Sequence, residues 1–143
     1  MIPVYIAFSN GCTDGRVVWI NVTDKVFVYG TLQQENTNYS LLQESTCLGR
    51  GTLHDLALYD VNPWYPGAVR CPGKKVLGEV YEVSPAVLSQ LDLLENNGVL
   101  YQREMMPVVL EPSGEKVEAW VYLWLGNVTE KKEVPLHRQP WKG

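Results

Sequence analysis

The sequence predicts an α+β fold dominated by strands. Three observations carry that expectation. Runs of β-branched and aromatic residues recur at 26–29, 47–59, 76–83, 99–110 and 116–125, separated by turn-forming residues. Only two stretches, 36–44 and 85–95, place their apolar residues at helical spacing. The chain has 143 residues, 45% of them hydrophobic and 20% charged, which suits one packed core and leaves little room for two. A single domain over 1–143 is therefore expected.

Residues 3–8 and 16–22 are apolar enough for two short strands. Asn10-Gly11 and Asp14-Gly15 lie between them as turn dipeptides, so a hairpin with a long turn is possible. Residues 1–24 otherwise read as an N-terminal extension. The stretch on which the chain is organised comes next: Val26-Phe27-Val28-Tyr29-Gly30-Thr31-Leu32. Four strand formers stop abruptly at Gly30, where a missing Cβ allows a sharp turn or a close approach of the backbone. The loop that follows either holds an anion on its backbone N–H groups or is an ordinary glycine turn after a buried strand. Residues 36–44 are the first helix candidate, capped by Asn36 or Thr37, with Tyr39, Leu41 and Leu42 turned inward.

The 47–59 run reads as one long strand or a bent pair, with Gly49 and Gly51 marking a bulge. Leu53, His54 and Leu56 compete for its inner face. In the loop at 60–67, Trp64 and Tyr65 either line a pocket or cover the end of the core. Residues 67–69 read as a very short strand, Pro72-Gly73 as a turn, and 76–83 as a new strand. Its two faces are Val76, Gly78, Val80 and Leu77, Glu79, Tyr81, Val83. Ser84-Pro85 opens the second helix as cap and first residue. On that helix Leu88, Leu91, Asp92 and Glu95 share a face, and Asn96-Asn97-Gly98 closes it. Pro107 marks an edge or an irregularity in the 99–110 strand. The 116–125 strand is apolar on both faces. Residues 126–143 form a C-terminal tail that either wraps the domain or hangs free.

Twelve Lys and Arg against sixteen Asp and Glu give a net charge of −4 and no basic footprint. Nucleic acid and anionic membrane are therefore not expected as partners. Cys12, Cys47 and Cys71 are odd in number and widely spaced, so no disulfide framework is implied. A reducing, cytoplasmic location is expected. His54 and His137 lack a second ligand at a metal-binding spacing, and no metal site is expected.

The chemical candidate is Glu95. A carboxylate at the end of a face that buries Leu88 and Leu91 either reaches solvent or borders a dry cleft. In a cleft, desolvation would make it a usable proton acceptor and donor. Asp92 is a weaker candidate on the same face. Arg103 either pairs with an acidic residue or grips a carboxylate. Tyr29, Tyr81, Tyr101 and Tyr122 present hydroxyls to a ligand or satisfy hydrogen bonds at the core's edge.

The motif at 26–32 resembles the opening signature of the gamma-glutamylcyclotransferase-like superfamily, its AIG2-like branch in particular. The resemblance continues through Asn38, Leu41-Leu42, Tyr65-Pro66-Gly67-Ala68, Val76-Leu77-Gly78-Glu79-Val80-Tyr81, Leu91-Asp92-Leu93-Leu94-Glu95, Tyr101-Gln102-Arg103 and Ala119-Trp120-Val121-Tyr122. It covers about 25–125. It implies a small mixed β-barrel with flanking short helices. It also implies that Tyr29, Gly30, Thr31 and Leu32 cradle a gamma-glutamyl group and that Glu95 is catalytic. Tyr65, Tyr101 and Tyr122 join the expected substrate-binding set. The family's usual glycine after the catalytic glutamate is Asn96 here.

The implied reaction is an intramolecular attack of the substrate's alpha-amine on its gamma-carbonyl. It yields 5-oxoproline and a free amine, with no metal or organic cofactor. The expected partner is a small-molecule gamma-glutamyl substrate, and the expected state is a monomer or homodimer. Two alternatives stand beside this reading. One is a non-catalytic metabolite-binding protein of the same fold. The other is a structural or interaction module, for which Trp64, Trp120, Trp124 and Trp141 would supply an exposed apolar patch.

Overall fold

The computed structural model describes residues 2–7, 13–20, 23–33 and 38–142. Strands β1 (Ile2–Ala7) and β2 (Thr13–Ile20) pair antiparallel, as the expected hairpin; its turn lies outside the described residues. The remaining strands are β3 (Asp24–Val28), β4 (Thr46–Asn62), β5 (Tyr65–Val83), β6 (Tyr101–Leu110), β7 (Lys116–Trp124) and β8 (Lys132–Glu133). Neighbour by neighbour, β4, β5, β3, β7 and β6 close into a ring, because β6 returns to β4. The pairing of β3 with β7 is parallel, while β3–β5, β4–β5, β4–β6 and β6–β7 are antiparallel. The result is a mixed β-barrel with short flanking helices, and β8 lies on the outer edge of β4.

Strand alternation divides the apolar residues into two cores. Phe27, Leu53, Leu56, Val76, Val80, Val108 and Val121 pack together as one buried cluster. On the opposite face Val26, Val28, Tyr81, Val83 and Tyr122 pack with Leu88 and Leu91 of helix α1 (Pro85–Leu94). This is why the 116–125 run is apolar on both sides: Val117, Ala119, Val121 and Leu123 serve one cluster, Trp120, Tyr122 and Trp124 the other. Where β3 ends, a Cβ on Gly78 would collide with the Val28 carbonyl oxygen, so the two strands approach as closely as they do only around glycine.

Several expectations need correction. The stretches read as a short strand, a turn and a new strand are one 19-residue strand, β5. Pro72-Gly73 does not end it. Instead the pairing with β4 shifts between His54–Lys75 and Leu56–Arg70, and the extra residues bulge outward. Asp55 sits opposite with φ 63° and accepts a hydrogen bond from the Gly73 N–H at 3.0 Å. That bulge also settles the competition for the inner face of β4. Leu53 and Leu56, three residues apart, would face opposite ways in a regular strand, and both are buried because Asp55 resets the alternation.

The first helix candidate is shorter than expected. It is a single 3-10 turn at Tyr39–Leu42, and the proposed caps Asn36 and Thr37 lie outside the described residues. Helix α1 matches its expectation: the Val87 N–H donates to Ser84 Oγ at 3.2 Å and Pro85 begins it. Pro107 lies inside β6 and stays paired with β7, while β6 meets β4 only at Val109 and Leu110, so its other side is open.

The tail wraps the domain. Val134 and Trp141 are buried in the first cluster, and Trp141 Nε1 donates to Asp60 Oδ1 at 3.0 Å. Trp120 and Trp124 are packed against the second cluster. Of the four tryptophans weighed for an exposed interaction patch, only Trp64 is exposed. Trp141→Ala removes a large side chain from a filled core. It should cost about 3 to 5 kcal/mol in urea unfolding. An unchanged midpoint would mean the tail adds nothing to the fold.

Candidate active site

The end of β3, the start of β5, the end of α1 and the adjoining parts of β6 and β7 meet around a narrow hollow. Tyr29, Gly30, Thr31, Leu32 and Tyr65 line it, with Glu95, Tyr101 and Tyr122. The eight residues that the resemblance places at the site are thus in one place, whereas Tyr81, Asp92 and Arg103 lie outside the hollow. The hollow has about 30 Å³ of room and opens into a wider recess of about 260 Å³, with Thr31, Tyr65, Glu95 and Tyr101 common to both.

The loop after β3 is shaped by its own hydrogen bonds. The Gln33 N–H closes a turn on the Gly30 carbonyl at 3.1 Å, and the Asn38 N–H reaches the Thr31 carbonyl at 2.8 Å. Asn38 Nδ2 also donates to Thr31 Oγ1 at 2.8 Å. Among the described residues, the backbone N–H groups of Thr31 and Leu32 meet no acceptor. Gly30 is needed for space: its φ is not left-handed, and a Cβ there would lie 3.0 Å from Pro66 Cδ.

The tyrosine hydroxyls are committed to the protein. Tyr29 Oη donates to the Tyr122 carbonyl at 2.5 Å and accepts from the Ala68 N–H at 3.2 Å. Tyr101 Oη donates to the Pro66 carbonyl at 2.7 Å. Tyr122 Oη donates to Asp92 Oδ1 at 2.6 Å. Desolvation is the chief reason that all three phenols are pushed far up, so they stay protonated. Tyr65 packs against Tyr101 and Trp124 at centroid distances of 6.4 and 6.2 Å, completing an aromatic wall.

Glu95 differs from these. It caps α1, donating its N–H to the Leu91 carbonyl at 2.9 Å, and the chain turns away at Asn96 with φ 50°. The asparagine thus takes the left-handed position that glycine would fill. Glu95 as a residue is half-buried, its side chain lines the hollow, and among the described residues no hydrogen-bond donor reaches its carboxyl. Desolvation therefore pushes its pKa up to about 7. Asp92, one turn earlier, faces another role. It holds Tyr122, and Arg103 Nε lies 3.6 Å from its Oδ1 with the guanidinium stacked 4.3 Å from the Trp120 ring. Arg103 pairs with an acid rather than lining the hollow.

Sequence reasoning missed two contributors. Pro66 fixes Tyr101 and limits Gly30; its only signal was its place in the Tyr-Pro-Gly run. Gln33 is buried, and its Nε2 donates to the Gly30 carbonyl at 3.3 Å and the Trp141 carbonyl at 3.1 Å. It directly follows the motif at 26–32 and carries no local signal of its own. His54 and His137 are exposed, Cys47 and Cys71 are free thiols, and Cys12 lies outside the described residues. No group of three potential metal ligands occurs among the described residues.

A carboxyl whose pKa rises on folding destabilises the fold once it must ionise. Below pH about 4.5 it is protonated folded and unfolded, and above about 7 it is ionised in both states. Between these values stability falls as pH rises. Glu95→Gln should remove that loss. Its advantage over the parent should grow from near zero at pH 4 to roughly 3 kcal/mol at pH 8, at about 1.4 kcal/mol per pKa unit. Urea unfolding across this range checks it; a pH-independent difference would place the carboxyl in water.

The sequence profile of the family described as "Gamma-glutamyl cyclotransferase, AIG2-like" matches residues 26–143. The match thus takes in the C-terminal tail and leaves out the N-terminal hairpin. A Vibrio cholerae relative is 42% identical over 100 residues, 69% of this chain and 80% of that one. The gamma-glutamylcyclotransferase family protein YtfP of Escherichia coli K12 is 35% identical over 101 residues, covering 70% of this chain and 81% of its own. The crystal structure of an AIG2-like protein from Mus musculus superposes with a TM-score of 0.69 at 28% identity, over 76% of this chain and 81% of that chain. On the profile match and these relatives, the chain belongs to the AIG2-like gamma-glutamyl cyclotransferase family.

Proposed function

We propose that the protein converts a gamma-glutamyl amine or amino-acid derivative into 5-oxoproline and a free amine. The observation that carries this reading is the desolvated Glu95 carboxyl, with its pKa near 7, lining one hollow with the Tyr29–Leu32 loop. The substrate's alpha-nitrogen attacks its own gamma-carbonyl carbon. A five-membered lactam forms as the bond from that carbon to the leaving nitrogen breaks. The attacking ammonium gives up two protons as it becomes the lactam N–H, and the leaving nitrogen gains two as it departs as an ammonium; Glu95 relays them one after the other, so the reaction balances without another reactant.

The walls supply the rest. Substrate must fold back on itself before the ring can close, and a tight aromatic hollow that holds the folded conformer removes much of that entropic barrier. The Thr31 and Leu32 N–H groups are donors for a glutamyl carboxylate or for the carbonyl oxygen as it gains charge. Tyr29, Tyr101 and Tyr122, their hydroxyl protons already given to the protein, act through shape and exclusion of water.

Glu95→Gln keeps the size of the side chain and cannot accept the proton. Formation of 5-oxoproline, followed by mass spectrometry over a panel of gamma-glutamyl compounds, should fall by a factor of about 100 to 10,000. In the parent, kcat/KM should climb with pH through about 7 as the carboxylate forms. Equal turnover by the two proteins would remove Glu95 from the chemistry. Binding without product from any compound would favour the metabolite-binding alternative.

A further inference from the structure

The Gly30–Thr31 peptide lies at the edge of the hollow. A trans peptide is planar, so its carbonyl and its N–H point in nearly opposite directions. The Gly30 carbonyl is turned toward Gln33, whose backbone N–H and side-chain Nε2 both donate to it, at 3.1 and 3.3 Å. Gly30 and Thr31 line the hollow and Gln33 does not. The N–H at the other end of the same plane, that of Thr31, therefore faces the hollow, and it meets no acceptor among the described residues.

That orientation needs a clamp. Rotating a peptide plane changes ψ of the residue before it and φ of the residue after it. Glycine accepts a wide range of backbone angles, so the Gly30 side offers little resistance. The turn bond from the Gln33 N–H is by itself a modest restraint. The Gln33 side chain adds a second donor from a position that is 4% exposed. Its Nε2 is itself held, because it also donates to the Trp141 carbonyl at 3.1 Å. Both groups facing it are carbonyls, so the amide nitrogen, with its two N–H donors, suits the position and the amide oxygen does not. Trp141 is buried in the first cluster and tied to Asp60, so the clamp is anchored on the core rather than on the loop. Asn38 holds the next carbonyl, that of Thr31, through a backbone N–H that any residue but proline would supply. Gln33 holds Gly30 partly with a side chain, which a substitution can remove.

Resting on the cyclisation reading above, we infer that Gln33 is a positioning residue for that reaction. Its side chain, anchored on the Trp141 carbonyl, holds the Gly30–Thr31 peptide so that the Thr31 N–H is presented to substrate in the hollow. Gln33 touches no reacting atom and acts through Gly30.

Two variants test it. Gln33→Met keeps the length and apolar packing of the side chain and donates nothing. Gln33→Glu keeps the planar end and, protonated in this buried position between two carbonyls, donates one bond at most. Across the gamma-glutamyl panel, kcat/KM should fall about tenfold to a hundredfold in Gln33→Met, the scale of one lost hydrogen bond to a charged group, and by less in Gln33→Glu. The loss should be the same across pH, with kcat/KM still rising through about 7, because the surroundings of Glu95 are untouched. A side chain that only supported the fold would behave differently: its removal would let water into the hollow and move that rise toward the ordinary carboxylate range. A crystal structure of Gln33→Met should show the Gly30–Thr31 peptide rotated or in two orientations. Turnover within about threefold of the parent in folded Gln33→Met, a rise displaced to lower pH, or an unrotated peptide would each overturn the inference. If Gln33→Met does not fold, Gln33→Glu carries the comparison, and activity equal to the parent's overturns it. If the parent makes no 5-oxoproline from any compound, the cyclisation reading fails separately. The orientation of the peptide in the variant then decides the clamp: a rotated plane supports it, and an unchanged plane refutes it.

Discussion

A buried hydroxyl joins the strands at the floor of the pocket. Tyr29 follows the last residue of β3, and its Oη donates to the backbone of β7 at Tyr122 while accepting from the backbone of β5 at Ala68. Both partners are main-chain groups of buried residues in the barrel wall. The hydroxyl therefore fixes where β3 stops relative to its two neighbours. Everything downstream inherits that position: the Gly30 turn against Pro66, the loop closed by Gln33 and Asn38, and the N–H groups of Thr31 and Leu32, which meet no acceptor among the described residues.

The opposite wall is held by a different logic. Helix α1 is too short to be stable alone and depends on Leu88 and Leu91 in the second core. Its last turn is fastened through Asp92, which takes a bond from Tyr122 of β7 and sits beside Arg103 of β6. The same tyrosine thus offers its carbonyl to Tyr29 and its hydroxyl to Asp92. Loop and helix end are tied to one residue, and Glu95, one turn beyond Asp92, is carried to the hollow with no donor among the described residues bonded to its carboxyl. A carboxyl held this way is poorly solvated because its neighbours serve each other, and that is the condition for proton exchange near neutrality.

How much of this was legible in the sequence depended on the range of the interaction. Helix α1, its Ser84 cap and its shared face of Leu88, Leu91, Asp92 and Glu95 were readable because each follows from spacing within a few residues. The alternation in β7 was readable for the same reason. The single strand β5 was not, because Pro72-Gly73 carries a strong turn signal and only pairing with β4 shows that the signal is absorbed by a bulge opposite Asp55. Gln33 was illegible: nothing local distinguishes it from its polar neighbours, and its burial depends on Trp141, 108 residues away. The site residues were gathered by motif order, whereas their commitments, such as Tyr101 to Pro66, exist only in the folded chain.

That long-range contact bears on the site itself. The tail reaches the cradle through Gln33 Nε2, which bonds to the carbonyls of both Gly30 and Trp141. Trp141 in turn is locked to β4 through Asp60, and Gln139 receives the Leu77 N–H of β5. The loop that carries the Thr31 and Leu32 amides is therefore buttressed from behind by the tail and in front by the Gly30 contact with Pro66. Backbone donors have no side chain to adjust their aim, so the direction in which they point is set by such supports. The loop is thus braced on both sides, and the bracing, with no contribution from a mobile side chain of its own, sets where its backbone donors point.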